Sequence, residues 1–223
     1  MLDMRYDLHI HSDYSDGNAS ITDIVRRAST LRLETIAITD HFWPSLGSRQ
    51  GGKNIIEGRR RELEQERIDN PTLTILDGAE VDIQSDGTLA PVAGGLEQFD
   101  IIIGSFHWVA DSTRWASALS KAVRNKFHIL GHFDGYLSSY QGEDGEVAAQ
   151  LLAESGIAIE LNERYMLEHI DFIQRAKDHG CIFTLGSDSH SVETIGQLDY
   201  GRKMAADFDL EIISTKRLLK RGK

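Results

Sequence analysis

At 223 residues, 40% of them hydrophobic, the chain is long enough for one large α/β domain with a sizeable core, and its length does not demand a second. A net charge of −11 argues against a broad basic surface for long nucleic acid or an anionic membrane, although bound metal ions would reverse the sign locally for a short phosphorylated substrate. The single cysteine, Cys181, leaves no disulfide framework. With no signal peptide and no apolar run near about 18 residues, a soluble cytoplasmic protein without a spanning helix is expected.

Strands and helices alternate along the chain. Arg5–His11 reads as a strand, and Ser20 opens a helix with Asp23 as a capping-box variant and Ile21, Ile24, Val25, Ala28 and Leu31 at helical spacing. Thr35–Thr39 is the second strand. Ile55–Ile68 is a charged helix with a thin apolar stripe, and Leu73–Ile83 is a third strand broken at Gly78. Asp100–His107 is the fourth strand, followed by a helix over Ser112–Asn125. His128–His132, Ile157–Leu161 and Cys181–Ser187 complete the strands, separated by helices near Glu146–Glu154 and Met166–His179. The tail from Ile195 reads as helical, with a possible last strand at Leu210–Ser214. Residues 44–54 and 84–95 are Gly/Ser-rich and read as long loops at strand exits, where function tends to reside.

Chemistry is concentrated at the ends of the apolar runs. Of nine histidines, His9, His11, His41, His107, His132 and His190 close such runs; Glu80 and Glu160 sit the same way, and Asp188 stands two residues before His190. In a parallel α/β fold these side chains would meet at the C-terminal end of the sheet. Ligand-like residues from all seven strands favour a closed or nearly closed barrel over an open doubly wound sheet, which would gather its site at one switch point. Period-two alternation puts His9 and His11 on one strand face, able to share a metal, and Asp188-x-His190 repeats the pattern. Both oxygens of Glu80 are available to bridge two ions. Such a donor set suits zinc, manganese or iron.

The ordered motifs DLHIHSDYSDG, ITDH, GAEVDI, GSFH, GHFDG and GSDSH resemble the PHP (polymerase and histidinol phosphatase) family, from His9 to His190. The resemblance implies a single domain over residues 1–223 folded as a distorted (β/α)7 barrel, two or three divalent metals at the strand ends, and phosphoester hydrolysis. By this resemblance His9, His11, Glu80 and Asp188 would hold one ion, Glu80, His107 and His132 a second, and His41 and His190 a third, with Asp16 as a further ligand. Some family members place a histidine about where this chain has Asp16-Gly17. Many have proline after the residue that His132 matches, where this chain has Phe133-Asp134. Asp134 therefore reads either as a partner orienting His132 or as a carboxylate capping a turn.

Hydroxide from a metal-activated water needs no protein nucleophile, and no GxSxG or P-loop is present. His190 or His41 is the candidate proton donor to the leaving oxygen. Arg164, then Arg49 and Lys53, are the candidates to grip phosphate. Trp43 and Trp108 are placed to wall a pocket. His128 would point into the barrel below the mouth and reads as a core residue; His169, His179, Trp115 and Cys181 read as structural. The expected substrate is a small phosphorylated molecule such as histidinol phosphate, a sugar phosphate or a nucleotide. A nuclease acting on short oligonucleotide ends is the alternative, and a non-catalytic metal-bound module is a third reading that the complete ligand set disfavours. Amidohydrolase-like chemistry commonly needs a bridging lysine at a strand end, and none is found there. Substrate, native metal and oligomeric state are not encoded in any motif.

Overall fold

The computed structural model describes residues 4–42 and 52–221. Among them run seven strands: β1 (Tyr6–Ile10), β2 (Thr35–Ile38), β3 (Thr74–Asp82), β4 (Ile101–Ser105), β5 (Ile129–Gly131), β6 (Ala158–Asn162) and β7 (Phe183–Gly186). They lie in sequential order in one sheet, and every pairing is parallel. The sheet curls back on itself just past β7, where Ser189 pairs with Ile10 and exchanges backbone bonds with His9 and His11. The result is a nearly closed barrel, as the motif order implied, and not an open sheet.

Seven helices follow: α1 (Ile21–Thr30), α2 (Lys53–Asp69), α3 (Ser112–Ala122), α4 (Gly142–Ser155), α5 (Ile170–Asp178), α6 (Asp199–Asp207) and α7 (Thr215–Arg221). α1 begins where Ser20 accepts a bond from the Asp23 amide, and it buries Ile21, Ile24, Val25 and Ala28 against the barrel. Leu31 caps that helix and is partly exposed, so it does not extend the apolar stripe. No helix among the described residues is long and apolar enough to cross a membrane.

Three expectations need correction. β3 is not broken at Gly78; its first half pairs with β2 and its second with β4, and Gly78 is the crossover. A Cβ there would meet Thr39 Cγ2 at 2.7 Å and Ile101 Cγ2 at 2.9 Å. β5 begins at Ile129, so His128 lies below the strand, half-buried, with its Nδ1 accepting a bond from the Ile102 amide at 3.0 Å. Leu210–Ser214 forms no strand; it contributes one bridge, Ile212 against Phe183. On α2 the thin apolar stripe is Ile56 and Leu63, and Arg59 is buried with them, between β2 and β3. Breaking a buried ion pair of this kind by removing one partner costs about 3–5 kcal/mol.

One register detail aims the site. Asp7 pairs with Ile36 while Ile10 pairs with Ile38, so β1 carries one extra residue between them. A bulge of this type turns side chains away from simple alternation and recurs beside functional sites. Here it falls on Leu8 and His9.

Candidate metal centre

Five imidazoles surround one carboxylate. Oε2 of Glu80 lies 3.0, 3.3 and 3.4 Å from Nε2 of His9, His11 and His41. Oε1 lies 3.4 and 2.9 Å from Nε2 of His107 and His132. β3 delivers Glu80 near its C-terminal end; His9 and His11 come from the end of β1, His41 from beyond β2, His107 from beyond β4, and His132 from the residue after β5. His41 is fixed opposite Glu80 by a backbone bridge. The site is thus the top layer of the barrel, where each of β1 to β5 contributes a residue near or just past its C-terminal end.

A second cluster adjoins the first. Oδ1 of Asp188 lies 3.4 Å from His11 Nε2 and 3.5 Å from His190 Nδ1. Asp16 reaches His190 Nε2 at 2.9 Å, His11 Nδ1 at 3.5 Å and His41 Nε2 at 4.0 Å. Every residue expected to bind metal is therefore brought to this end of the barrel, Asp16 included. The grouping is more interlocked than three separate sets. His41 faces Glu80 together with His107, and also Asp16 together with His11. Asp188 sits at φ 52°, a left-handed conformation costing of order 1–3 kcal/mol for a residue with a Cβ.

The donor set fits divalent cations on the structure's own terms. Both ring nitrogens of His11 and Nδ1 of His41 and His132 are buried and make no hydrogen bond. Histidines that merely fill a core are expected to satisfy their polar atoms. The electrostatics agree. Burial disfavours the charged form of His9, yet the carboxylates of Glu160, Glu80 and Asp188 outweigh it and hold the ring well above its ordinary range. Against the same burial penalty, neighbouring carboxylates raise His11 to about 9 and His107 to about 10. Burial pushes Glu80 up, but His9, His41 and His107 pull it well below the usual carboxylate range. His41 goes the other way, lowered to about 4 by burial with like-charge pressure from His11 and His107. A centre so ordered stabilises positive charge at the Glu80 oxygens.

Two orienting groups did not figure among the expected site residues. Glu160 Oε1 lies 2.8 Å from His9 Nδ1, and its Oε2 accepts the His132 amide at 3.0 Å and the Asn162 side chain at 2.9 Å. Room for it comes from Gly186, where a Cβ would fall 1.9 Å from Glu160 Oε1. Asp82 Oδ1 holds His107 Nδ1 at 2.8 Å. In both cases a carboxylate takes the Nδ1 side and directs Nε2 at Glu80, the usual outer support of a metal-binding histidine. Glu160 was visible as a strand-end carboxylate; for Asp82 the signal was its spacing of two from Glu80. Tyr136 and Tyr165, with ring centroids 5.7 Å from His107 and 4.8 Å from His132, form an aromatic wall on that side.

Other expected residues fare differently. Arg164, half-exposed, lies with Nη1 2.7 and 2.8 Å from the two ring nitrogens of His190 and 3.8 Å from Asp188 Oδ1, so it borders the cluster directly. Lys53 is exposed at the start of α2 and pairs with Glu57 at 3.8 Å. Arg49 and Trp43 lie outside the described residues. Trp108 donates its indole N–H to Ile83 and lies beneath the Arg114 guanidinium, packing the loop after β3. Asp134 does not orient His132. Its Oδ2 accepts the amides of Glu168 and His169, tying the loop after β5 to the segment ahead of α5. His169 stacks on Tyr140, His179 pairs with Glu146, and Cys181 is buried, all structural as expected.

The chain is similar to several known proteins. Over 210 residues the chain is 26% identical to the DNA polymerase/3'-5' exonuclease PolX of Bacillus subtilis strain 168; the match covers 89% of this chain but only 36% of that protein. Over 233 residues it is 26% identical to the probable phosphatase YcdX of Escherichia coli strain K12, covering 96% of this chain and 91% of the other. In fold it is similar to the crystal structure of histidinol phosphate phosphatase from Lactococcus lactis, a complex with zinc, L-histidinol and phosphate, with a TM-score of 0.71 at 19% identity over 94% of this chain and 95% of that one. A family model described as the PHP domain matches residues 7–168, and the chain belongs to that family.

Proposed function

We propose that the chain is a metal-dependent phosphoester hydrolase acting on a small phosphorylated molecule. The observation that carries this reading is the division of Glu80: one oxygen faces His9, His11 and His41, and the other faces His107 and His132. We assign His9, His11, Glu80 and Asp188 to one ion, Glu80, His107 and His132 to a second, and His41, His190 and Asp16 to a third. The imidazole-rich donors suit zinc, manganese or iron better than calcium or magnesium.

Divalent ions held there would supply charge neutralisation at the phosphoryl oxygens and a water acidic enough to attack at neutral pH. The chain's own groups do the rest. Glu160 and Asp82 lock two rings in a single orientation, so little reorganisation remains for the reaction. Arg164 stands at the rim with donors to spare for a phosphate oxygen. His190, 20% exposed and within reach of Arg164, would pass a proton to the leaving oxygen only where the third ion leaves one of its ring nitrogens free. His41 is a poorer donor, since its side chain is 6% exposed and faces inward to Glu80.

A cavity of about 270 Å³ opens beside Arg164 and His190, bordered by Asn18, Glu163, Thr194 and Gln197. Its small volume, bordered by polar residues, favours a compact leaving group over a polymer. The likeness to the Bacillus polymerase/exonuclease supports the second reading, a nuclease on short oligonucleotide ends. A screen of phosphorylated metabolites and short oligonucleotides with zinc- and manganese-loaded protein decides between them. Hydrolysis of a small phosphomonoester that is abolished by chelation supports the proposal. Activity confined to oligonucleotides supports the alternative, and activity unaffected by chelation overturns both.

A further inference from the structure

We infer that Arg59 is the positioning residue for the arm that carries His11 and Asp16, and that the ion assigned above to His41, His190 and Asp16 depends on it. The inference rests on the metal reading above. Arg59 sits on α2 and is fully buried. Its Nε lies 2.6 Å from Asp40 Oδ2 and its Nη1 2.5 Å from Asp77 Oδ1; Nη2 donates to the carbonyls of Ile38 and Gly78, and the guanidinium lies 5.2 Å from the Phe42 ring centroid. One planar fork thus joins the end of β2 to the middle of β3.

Asp40 passes the constraint on. Its Oδ1 accepts the Ser12 amide and the Ser15 hydroxyl, both at 2.7 Å, and its Oδ2 accepts the Ser12 hydroxyl at 2.8 Å. Ser12 and Ser15 bracket the tight turn between His11 and Asp16, which is also closed by bonds from Ser15 N and Gly17 N to the Ser12 carbonyl. Gly17 has no space for a Cβ, which would lie 2.2 Å from the His11 carbonyl oxygen. Asp40 is the residue before His41. Arg59 therefore fixes, through one carboxylate, the backbone on both sides of the His11, Asp16 and His41 group, whose ligand atoms gather closely enough for one ion. His107 and His132 are supported from elsewhere, by Asp82 and by Glu160. A lysine could not reproduce the fork, because its ammonium is a point donor on a flexible stem.

The test measures zinc or manganese per chain after dialysis against one weak chelator, together with far-ultraviolet circular dichroism and thermal unfolding. Arg59→Lys is expected to retain about one ion fewer than wild type, its affinity falling about 10–100-fold as for other lost outer supports. Ser12→Ala/Ser15→Ala leaves the Arg59 ion pairs intact and should lose the same ion, so it decides the matter if the Arg59 variant does not fold. Arg60→Gln removes the other arginine on Asp77, 2.8 Å away, and should lower thermal stability without changing metal content. A folded serine double variant with wild-type metal content overturns the inference alone. Equal metal loss from Arg60→Gln also overturns it, by reducing the effect to general destabilisation. Wild-type protein that holds one ion or none overturns the metal reading, and this inference with it.

Discussion

Glu160 Oε1 lies 2.8 Å from Nδ1 of His9, and this contact decides which nitrogen of His9 faces Glu80. Neither side chain is more than 1% exposed, so water does not compete for the bond. Glu160→Gln keeps the shape but replaces an anion with an amide. We expect metal affinity to fall about 10–100-fold, the range for losing such a support, with little change in fold. Isothermal titration with zinc into metal-free protein checks it; unchanged affinity would remove Glu160 from the account.

Gly186→Ala tests the same contact from the other side. The added methyl would collide with Glu160 Oε1 and lie 2.8 Å from His9 Cβ. Overpacking of this kind costs typically about 1–3 kcal/mol. The variant should unfold at lower temperature and share the metal defect of Glu160→Gln. Normal metal content at wild-type stability would show that the strand shifts freely.

Arg164→Ala should weaken substrate binding. A charge-assisted bond to phosphate contributes about 1.5–3 kcal/mol, which corresponds to roughly 10–150-fold in KM. Because Arg164 also packs on His190, a smaller fall in kcat is expected as well. Steady-state kinetics and metal analysis on one preparation check this. Unchanged kinetic constants would make Arg164 an ordinary surface charge.

Metal should stabilise the fold, because the ligands converge only when all the strand ends are in place. Ligand at about 100 times its dissociation constant adds about 2.7 kcal/mol. Chelated protein should therefore melt several degrees lower and recover on adding zinc or manganese. A melting temperature indifferent to chelation would mean that the site does not hold ions tightly.

The barrel and the gathering of imidazoles and carboxylates at the strand ends were legible because each depends on local pattern. Apolar runs that end in His9, Glu80 or His132 identify strands and their exits together. What stayed hidden depends on contacts distant in sequence. Arg59 stands in GRRRELEQER, a charged string in which nothing singles it out, and only its fit between Asp40 and Asp77 shows its burial. The role of Glu160 needs the space left by Gly186, 26 residues further on by the numbering of the two. Asp134 was ambiguous because either partner, the His132 ring or the backbone before α5, lay within reach of a loop carboxylate. His128 and the Leu210–Ser214 segment were misplaced because a three-residue strand and a single bridge are shorter than any periodicity can report.

The most direct test of the account is metal content in Glu80→Gln beside His107→Ala. Glu80 offers one oxygen to each group of imidazoles, so the neutral amide should release two ions and leave cationic neighbours unscreened, while losing His107 should loosen one. After dialysis against the same weak chelator, we predict less metal in Glu80→Gln than in His107→Ala, and essentially no hydrolysis. Wild-type metal content in Glu80→Gln would contradict the shared carboxylate at the centre of the site.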